Sequence, residues 1–172
     1  KEHDYSNIRG ESNIIRYIPV KNVLLRIEEN DSLEDILTSI IVIKMIGANL
    51  DISIPKDSKK EEFTWLESNQ KQFIDKNDSF SKDSEDELIM KIPSFQRVRF
   101  LKPDNVTKNI YKAISDKAIY IASDKFIPHG RLELMHYFIE QSISNSYHRY
   151  GNLGEQGLKK LIFNLCIIKL KA

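Results

Sequence analysis

The chain has a single cysteine, Cys166, among its 172 residues. One cysteine excludes an internal disulfide framework and fits a reducing compartment. An excess of either charge is also lacking, because 26 Lys and Arg face 25 Asp and Glu. Such a balance predicts no attraction to nucleic acid or to an anionic membrane. No apolar run approaches the roughly 20 residues of a spanning helix. We therefore expect a cytoplasmic protein that binds no nucleic acid.

Strand and helix patterns alternate along the first part of the chain. Residues 22–27 and 51–54 are short β-branched and aliphatic runs, which predict strands. Between them, Ser32 opens an amphipathic helical pattern that closes at Gly47. A strand, a helix and a strand in about 30 residues form a βαβ unit, whose two strands are parallel.

A second unit of this kind follows, with strands predicted at residues 97–101 and 118–122 around a helix that starts near Pro103. Two successive units predict an α/β fold with a Rossmann-like open, mostly parallel sheet of at least four strands. Between the two units, the polar stretch 77–87 predicts a mobile, protease-sensitive loop. Ser58 with Glu61, and Ser84 with Glu87, predict capped helix starts on either side of it.

Glycine is missing where a nucleotide-binding Rossmann domain needs it. The first strand–helix turn, residues 28–32, reads Glu-Glu-Asn-Asp-Ser. A pyrophosphate would meet like charges and a crowded backbone there, because only glycines allow phosphate close to the helix start. We predict that this chain binds no dinucleotide and acts as a scaffold.

The remaining reactive side chains favour structural roles. Cys166 lies in an apolar run at residues 161–168, where burial would raise its pKa and make it inert. His129, His136 and His148 fit no spacing typical of a metal site with it, so no metal is predicted. Trp65 is predicted to be core.

The most information lies in residues 130–152. Leu132, Leu134, His136 and Phe138 alternate with a period of two, which predicts a strand with one buried face. Residues 147–152, Tyr-His-Arg-Tyr-Gly-Asn, then concentrate aromatic rings and a cation near a turn. Residues 130–152 could fill a core or could be a β-flap that docks on another domain or subunit. Docking is favoured because this stretch follows a completed α/β unit.

Both ends of the chain resemble one family. Residues 140–144 (Glu-Gln-Ser-Ile-Ser) and 147–154 (Tyr-His-Arg-Tyr-Gly-Asn-Leu-Gly) are similar to the C-terminal motif of proline utilization A. Residues 7–13 (Asn-Ile-Arg-Gly-Glu-Ser-Asn) and 16–20 (Arg-Tyr-Ile-Pro-Val) look like the passage that leaves the aldehyde dehydrogenase module of that family. The start at Lys1 also suggests a fragment of a longer chain.

The resemblance implies a parent that is a bifunctional bacterial flavoenzyme. Such enzymes oxidise proline to glutamate through 1-pyrroline-5-carboxylate and glutamate semialdehyde, with an NAD-dependent second step. The implied C-terminal domain has an aldehyde-dehydrogenase-superfamily-like fold with a projecting antiparallel β-flap. It has no catalytic residue, no cofactor and no metal of its own, so FAD and NAD belong to the parent. It covers the cavity through which the semialdehyde passes.

The sequence patterns and the resemblance together predict a domain organisation, and the resemblance also implies a partner. Residues 1–21 would be a linker from an upstream dehydrogenase module, 22–128 the Rossmann-like domain, 129–154 the β-flap and motif, and 155–172 an apolar tail, which departs from the family pattern. The partner would be the upstream aldehyde dehydrogenase module, of the same chain or of a second subunit, and the parent could be peripheral at the inner membrane. The implied docking residues are Glu140, Ser142, Ser144, Tyr147, His148, Arg149, Tyr150, Gly151 and Asn152. The alternative function is a free-standing small-ligand-binding or regulatory α/β domain, with a cleft at the carboxyl ends of its strands.

Overall fold

The computed structural model describes residues 2–8, 10–115, 117 and 119–146. Within them the elements in chain order are β1 (Glu2–His3), β2 (Glu11–Pro19), β3 (Asn22–Arg26), α1 (Leu33–Met45), β4 (Asn49–Pro55), α2 (Glu61–Asn69), β5 (Ser79–Asp83), α3 (Glu85–Lys91), β6 (Arg97–Phe100), α4 (Lys108–Ile114), β7 (Tyr120–Ala122), α5 (Gly130–Met135) and β8 (Phe138–Ser146). The chain divides into two compact units. The larger unit spans Pro19–Phe138, and the smaller combines Lys1–Ile18 with the chain from Ile139 onwards.

The larger unit is built on a five-stranded sheet in the order β5-β4-β3-β6-β7. All four strand pairs are parallel. The chain leaves β3 toward one side, forms β4 and β5, and then returns to form β6 and β7 on the other side. This order is the Rossmann arrangement, with its switch point between β3 and β6. The predicted α/β, Rossmann-like, mostly parallel sheet is confirmed.

The first βαβ unit forms for the reasons that its sequence indicates. The Ser32 side chain accepts a hydrogen bond from the Asp35 backbone N–H, which satisfies one of the free donors at the start of α1. Glu34 and Asp35 lie in the positive first turn of the helix. Gly47 follows the helix with a φ of +74°, a left-handed conformation that glycine adopts without a steric penalty.

Two hydrophobic cores cover the two faces of this sheet. Successive side chains of a strand point to opposite faces, and Leu24 and Leu25 accordingly belong to different cores. The first core packs Leu25 with residues of α1, β4 and α2. The second packs Leu24 and Phe100 with residues of α3 and α4. Strand β3 is buried on both faces and contains the apolar run Val23-Leu24-Leu25, which is typical of parallel sheets.

The prediction of a mobile loop at residues 77–87 is wrong. That stretch forms β5, which pairs with β4, and the start of α3. The polar composition of this stretch predicted a loop, but its polar groups are paired within the fold. The Asp78 carboxylate accepts hydrogen bonds from the backbone N–H groups of Leu50 and Asp75, and it forms an ion pair with Lys44 at 2.6 Å.

Two smaller expectations for the intervening helix α2 also fail. Its N-cap is Lys60, without a side-chain capping bond, so Ser58 and Glu61 do not form the predicted capping pair. Trp65 is exposed rather than core, because Phe63 and Leu66 occupy the buried side of the helix. The capping box of Ser84 and Glu87 is present in full at the start of α3.

The smaller unit contains a three-stranded sheet in the order β1-β2-β8. Strands β1 and β2 are antiparallel, with Glu2 opposite Arg16. Arg16 forms an ion pair with Glu2 at 2.9 Å and donates to the side chain of Gln141 on β8. Residues 1–21 therefore differ from the predicted linker, because they contain two strands. Polar cross-strand pairs stabilise these strands, and such pairs leave no apolar periodicity in the sequence.

The prediction that a strand starts at Leu132 is also wrong. Residues 130–135 form α5, and β8 begins only at Phe138. The period of two was coincidental, since Leu132 is exposed and the buried positions are Glu133 and Tyr137, four residues apart. A spacing of four is helical, and the buried member Glu133 is polar. None of the helices in the part of the chain that the structure describes is both long and apolar enough to span a membrane.

Candidate functional site

A buried aspartate occupies the switch point of the larger sheet. The carboxylate of Asp31, in the loop after β3, accepts the Glu28 backbone N–H at 2.8 Å and the Asn105 side-chain amide at 3.2 Å. Lys102 lies 3.8 Å from the same carboxylate. Lys60 donates to the Asp31 backbone carbonyl at 2.8 Å. The loops after β3 and β6 are thus tied together where a Rossmann domain would hold its ligand.

The electrostatics of this loop do not suit a phosphate group. Burial raises the pKa values of Glu28 and Asp31, more than their hydrogen bonds and neighbouring cations lower them. A phosphate placed there would add negative charge beside two partly desolvated carboxylates. The Ser32 side chain also accepts a backbone N–H at the start of α1, and the turn contains no glycine that would let a phosphate approach the backbone. The residues present therefore do not fit a pyrophosphate.

A second polar cluster lies at the carboxyl ends of β3, β4 and β5. The Asp83 carboxylate accepts hydrogen bonds from Ser53 and Ser81, each at 2.7 Å, and pairs with Lys91 at 2.6 Å. Arg26 donates to Ser53 at 3.0 Å and to the Asp83 carbonyl at 3.1 Å. Burial alone would raise the pKa of Asp83, but the hydrogen bonds from Lys91, Ser53 and Ser81 outweigh it and lower the pKa.

This cluster contains a serine and a lysine in contact, since the Lys91 ammonium donates to Ser81 Oγ at 2.8 Å. A serine nucleophile needs a neighbouring base with a free lone pair. Lys91 is paired with Asp83 as an ammonium and therefore has no lone pair to offer. The arrangement explains how three strands and α3 are held together, and it does not provide an activated nucleophile.

A third cluster joins β6 to α5. The Arg99 guanidinium binds both carboxylate oxygens of Glu133 at 2.9 Å, and Tyr137 donates to the same carboxylate at 2.8 Å. Arg99 also donates to the backbone carbonyls of Ala122 and Asp124. Arg99, Glu133 and Tyr137 are at most 1% exposed. Burial lowers the pKa of Arg99, but the bonds to Glu133 raise it further than burial lowers it.

The histidines lie apart from one another. His136 ends α5, 4.0 Å from the Asp124 carboxylate, and its pKa is lowered by burial and by the charge of Arg99. His129 is exposed before α5, and His3 stacks on Tyr5 in the smaller unit. His148 and Cys166 lie outside the described residues. Across residues 2–8, 10–115, 117 and 119–146, no group of three His, Cys, Asp or Glu is placed to hold a metal ion.

Of the predicted docking residues, the structure describes those on β8. Glu140, Ser142 and Ser144 are exposed, and Ser144 donates to the side chain of Asn13 on β2. Tyr147, His148, Arg149, Tyr150, Gly151 and Asn152 lie outside the described residues, as does the tail at 155–172. Their docking role stays a prediction.

The ribbon of β2 and β8 exposes apolar side chains. Ile139 and Ile143 on β8 are 44% and 38% exposed, and Tyr17 and Ile18 on β2 are similarly exposed. From residue 139 to 146, Gln141 is the one described position that is not exposed. Ile139 and Ile143 lie on the same face of β8, because residues four apart on a strand point the same way, whereas the adjacent Tyr17 and Ile18 point to opposite faces of β2. Exposed side chains of this kind resemble the apolar part of a protein interface.

Sequence reasoning missed the three polar clusters of the larger unit. One signal was available, because Arg97-Val-Arg99-Phe places two arginines on the same face of a strand that is otherwise apolar. A buried arginine requires a carboxylate partner. Glu133 was not identified as this partner, because the apparent period of two around it predicted a strand.

Comparison with known proteins locates the fold. No family model matches the sequence, and no curated protein matches it either. The structure resembles the substrate-bound state of Staphylococcus aureus AldH with a TM-score of 0.57 and 19% identity, over 73% of this chain and 28% of that one. It also resembles betaine aldehyde dehydrogenase from Staphylococcus aureus in complex with NAD+, with a TM-score of 0.55 and 16% identity, over 73% and 25% of the two chains.

A third similar structure is a protein of Burkholderia cenocepacia assigned to the aldehyde dehydrogenases, with a TM-score of 0.54 and 10% identity, over 73% and 27% of the chains. This chain thus spans about a quarter of the length of these enzymes. At such low identity, the likeness shows that this chain shares the fold of part of an aldehyde dehydrogenase.

Proposed function

We propose that this chain is a non-catalytic interaction domain of a proline-catabolic enzyme of the proline utilization A type. It would cover the cavity through which the semialdehyde passes between the two active sites of the parent. The observation that carries this proposal is the set of exposed apolar side chains on the ribbon, namely Ile139 and Ile143 on β8 and Tyr17 and Ile18 on β2. Apolar side chains of this kind favour contact with another protein surface.

The polar clusters at the carboxyl ends of the parallel strands support a role without chemistry. The switch point is filled by Asp31 and its partners, and Lys91 is ion-paired beside Ser81. FAD and NAD would then be bound by other parts of the parent, which we place in the cytoplasm. The upstream aldehyde dehydrogenase module is the partner that the shared fold and the resemblance of the chain ends favour.

Calorimetry with the 172-residue chain tests the proposal against a small-ligand-binding domain. We expect no heat of binding for NAD or FAD up to millimolar concentration. A saturable signal for either of them would favour the alternative function, with the ligand in the cleft at the carboxyl ends of the strands.

Kinetics of the parent enzyme test the covering role directly. Proline and NAD would be added to the parent, and the lag before NADH appears would be measured. A parent with Ile139→Ser and Ile143→Ser should show a longer lag, because a loosened cover allows the semialdehyde to escape into bulk water. An unchanged lag in this variant would contradict the proposed cover.

A further inference from the structure

Two arginines on one face of β6 have very different surroundings. Arg97 and Arg99 are two residues apart on the strand and therefore point to the same side of the sheet. Arg99 has a bidentate carboxylate partner and several backbone carbonyls. Arg97 is 7% exposed, so it is almost as well removed from water.

The contacts of Arg97 leave most of its donors unused. One terminal nitrogen donates to the Phe138 backbone carbonyl at 3.2 Å, and the Tyr120 ring stacks on the guanidinium at 4.1 Å. The Arg97 Nε–H is buried and has no hydrogen-bond partner among the described residues. No carboxylate in residues 2–8, 10–115, 117 or 119–146 lies within 4.0 Å of it. A buried guanidinium requires an opposite charge, because desolvation penalises its charged form.

From these contacts we propose that Arg97 is the anchor of a binding site for the carboxylate group of a small molecule. The proposal is independent of the covering role of the ribbon. A guanidinium offers parallel N–H groups in its own plane, which match the two oxygens of a carboxylate. Tyr120 covers one face of the guanidinium, and the buried Nε–H that would donate to the carboxylate lies in the guanidinium plane.

The surroundings of Arg97 favour a planar monoanion. Burial lowers the pKa of His136, and the charges of Arg99 and Arg97 lower it further, so the imidazole is neutral near pH 7 and adds no second cation. The Glu133 carboxylate is already held by Arg99 and Tyr137. Among the described residues, Arg97 therefore offers one positive charge without a carboxylate partner, which matches a carboxylate better than a phosphate dianion.

Tyr120 provides the way in. It lies on the edge strand β7, and its side chain is 52% exposed. Exposed side chains change rotamer within nanoseconds. Rotation of the ring away from the guanidinium would open Arg97 to solvent without a change in the backbone.

The test is an NMR titration of the arginine Nε–H signals of the full chain. Sodium acetate would be added at constant ionic strength, with sodium chloride as the compensating salt and sodium phosphate in a parallel series. We expect a saturable downfield shift of the Arg97 Nε–H signal with acetate, and a shift at least threefold smaller with phosphate at equal concentration. No saturable shift up to 100 mM acetate, or an equal shift with phosphate, would overturn the carboxylate site.

Three variants assign the effect to the site. Acetate that binds the folded chain should also raise its Tm. Arg97→Gln should abolish this rise, whereas the control Arg131→Gln, at an exposed position, should retain it. Tyr120→Ala should retain saturable binding and reach half-saturation at a lower acetate concentration, because the guanidinium is no longer covered. An acetate response that survives in Arg97→Gln would refute the assignment, even if that variant is less stable.

Discussion

At the scale of single residues, the larger unit depends on buried polar side chains, among which Arg99 and Glu133 are paired with each other. Arg99 and Glu133 connect a strand to a helix that has six residues and little apolar surface of its own. Isolated helices of that length do not form in water. The ion pair, together with the Tyr137 hydroxyl, therefore determines where α5 lies.

Arg99→Met should strongly destabilise the chain. The substitution leaves the Glu133 carboxylate buried without its cation, which costs about 3–5 kcal/mol. Urea unfolding followed by circular dichroism measures the loss, and Arg131→Met on the exposed side of α5 is the control. The double variant Arg99→Met with Glu133→Leu should recover most of the loss, because no unpaired charge then remains. A single variant as stable as the parent chain would show that the pair contributes nothing.

Asp78, whose side chain is 1% exposed, should give part of the chain's stability a distinct pH dependence. Burial raises the pKa of Asp78, but its bonds from Lys44 and from two backbone N–H groups outweigh this and lower it below 3.8. A carboxyl whose folded pKa is lowered stabilises the fold above its unfolded pKa, and this contribution is lost as the pH falls through the folded value.

Asp78→Asn should therefore cost about 1–3 kcal/mol at pH 7, since the ion pair and one backbone acceptor are weakened. The difference from the parent chain should shrink as the pH falls below 3.8. Urea unfolding at pH 7 and at pH 3 measures both values, with exposed Asp57→Asn as the control. A difference that is the same at both pH values would contradict the assigned role of the carboxylate.

At the scale of elements, the sequence predicted the helices and strands whose apolar pattern agrees with their capping residues. The prediction failed for elements whose structure depends on polar contacts. The run from Ser32 to Gly47 combines a cap, a helical apolar stripe and a left-handed glycine, so α1 was predictable. Strand β5 was not, because its polar side chains Ser81 and Asp83 are paired with Lys91, and Asp83 also with Ser53, and both partners lie outside the strand. Single-sequence patterns contain no information about such partners.

The α3 capping box should make a measurable contribution to the free energy of unfolding. Ser84 accepts the Glu87 backbone N–H, while the Glu87 carboxylate accepts the Ser84 backbone N–H. Ser84→Ala removes one acceptor and should cost about 1 kcal/mol of unfolding free energy. Thermal unfolding gives the value, and Ser142→Ala on the exposed face of β8 serves as the control. Equal melting temperatures for the two variants would mean that packing alone holds the start of α3.

At the scale of the whole molecule, the two units differ in how they use apolar residues. The larger unit buries its aliphatic residues on both faces of its sheet. The smaller unit exposes isoleucine and tyrosine on a ribbon made of residues from both ends of the described chain. The resemblance of the chain ends drew attention to this ribbon. Composition alone did not, because its strands are rich in Ser, Asn and Gln.

A trans-complementation experiment separates a docking ribbon from an exposed but idle one. The parent enzyme would be truncated before Lys1, and the 172-residue chain would be added as a separate protein. We expect the added chain to shorten the lag before NADH appears, with saturation at one chain per truncated parent.

Ile143→Lys should abolish this effect, because a lysine ammonium in an apolar contact must lose its water without gaining a partner. Its melting temperature should stay unchanged, because Ile143 is exposed. Ile41→Lys on the exposed side of α1 introduces the same charge away from the ribbon and should shorten the lag as the unmodified chain does. If both lysine variants shorten the lag equally, the ribbon is not the docking surface. If both lose the effect at an unchanged melting temperature, the docking surface includes α1, and the apolar ribbon does not account for it alone.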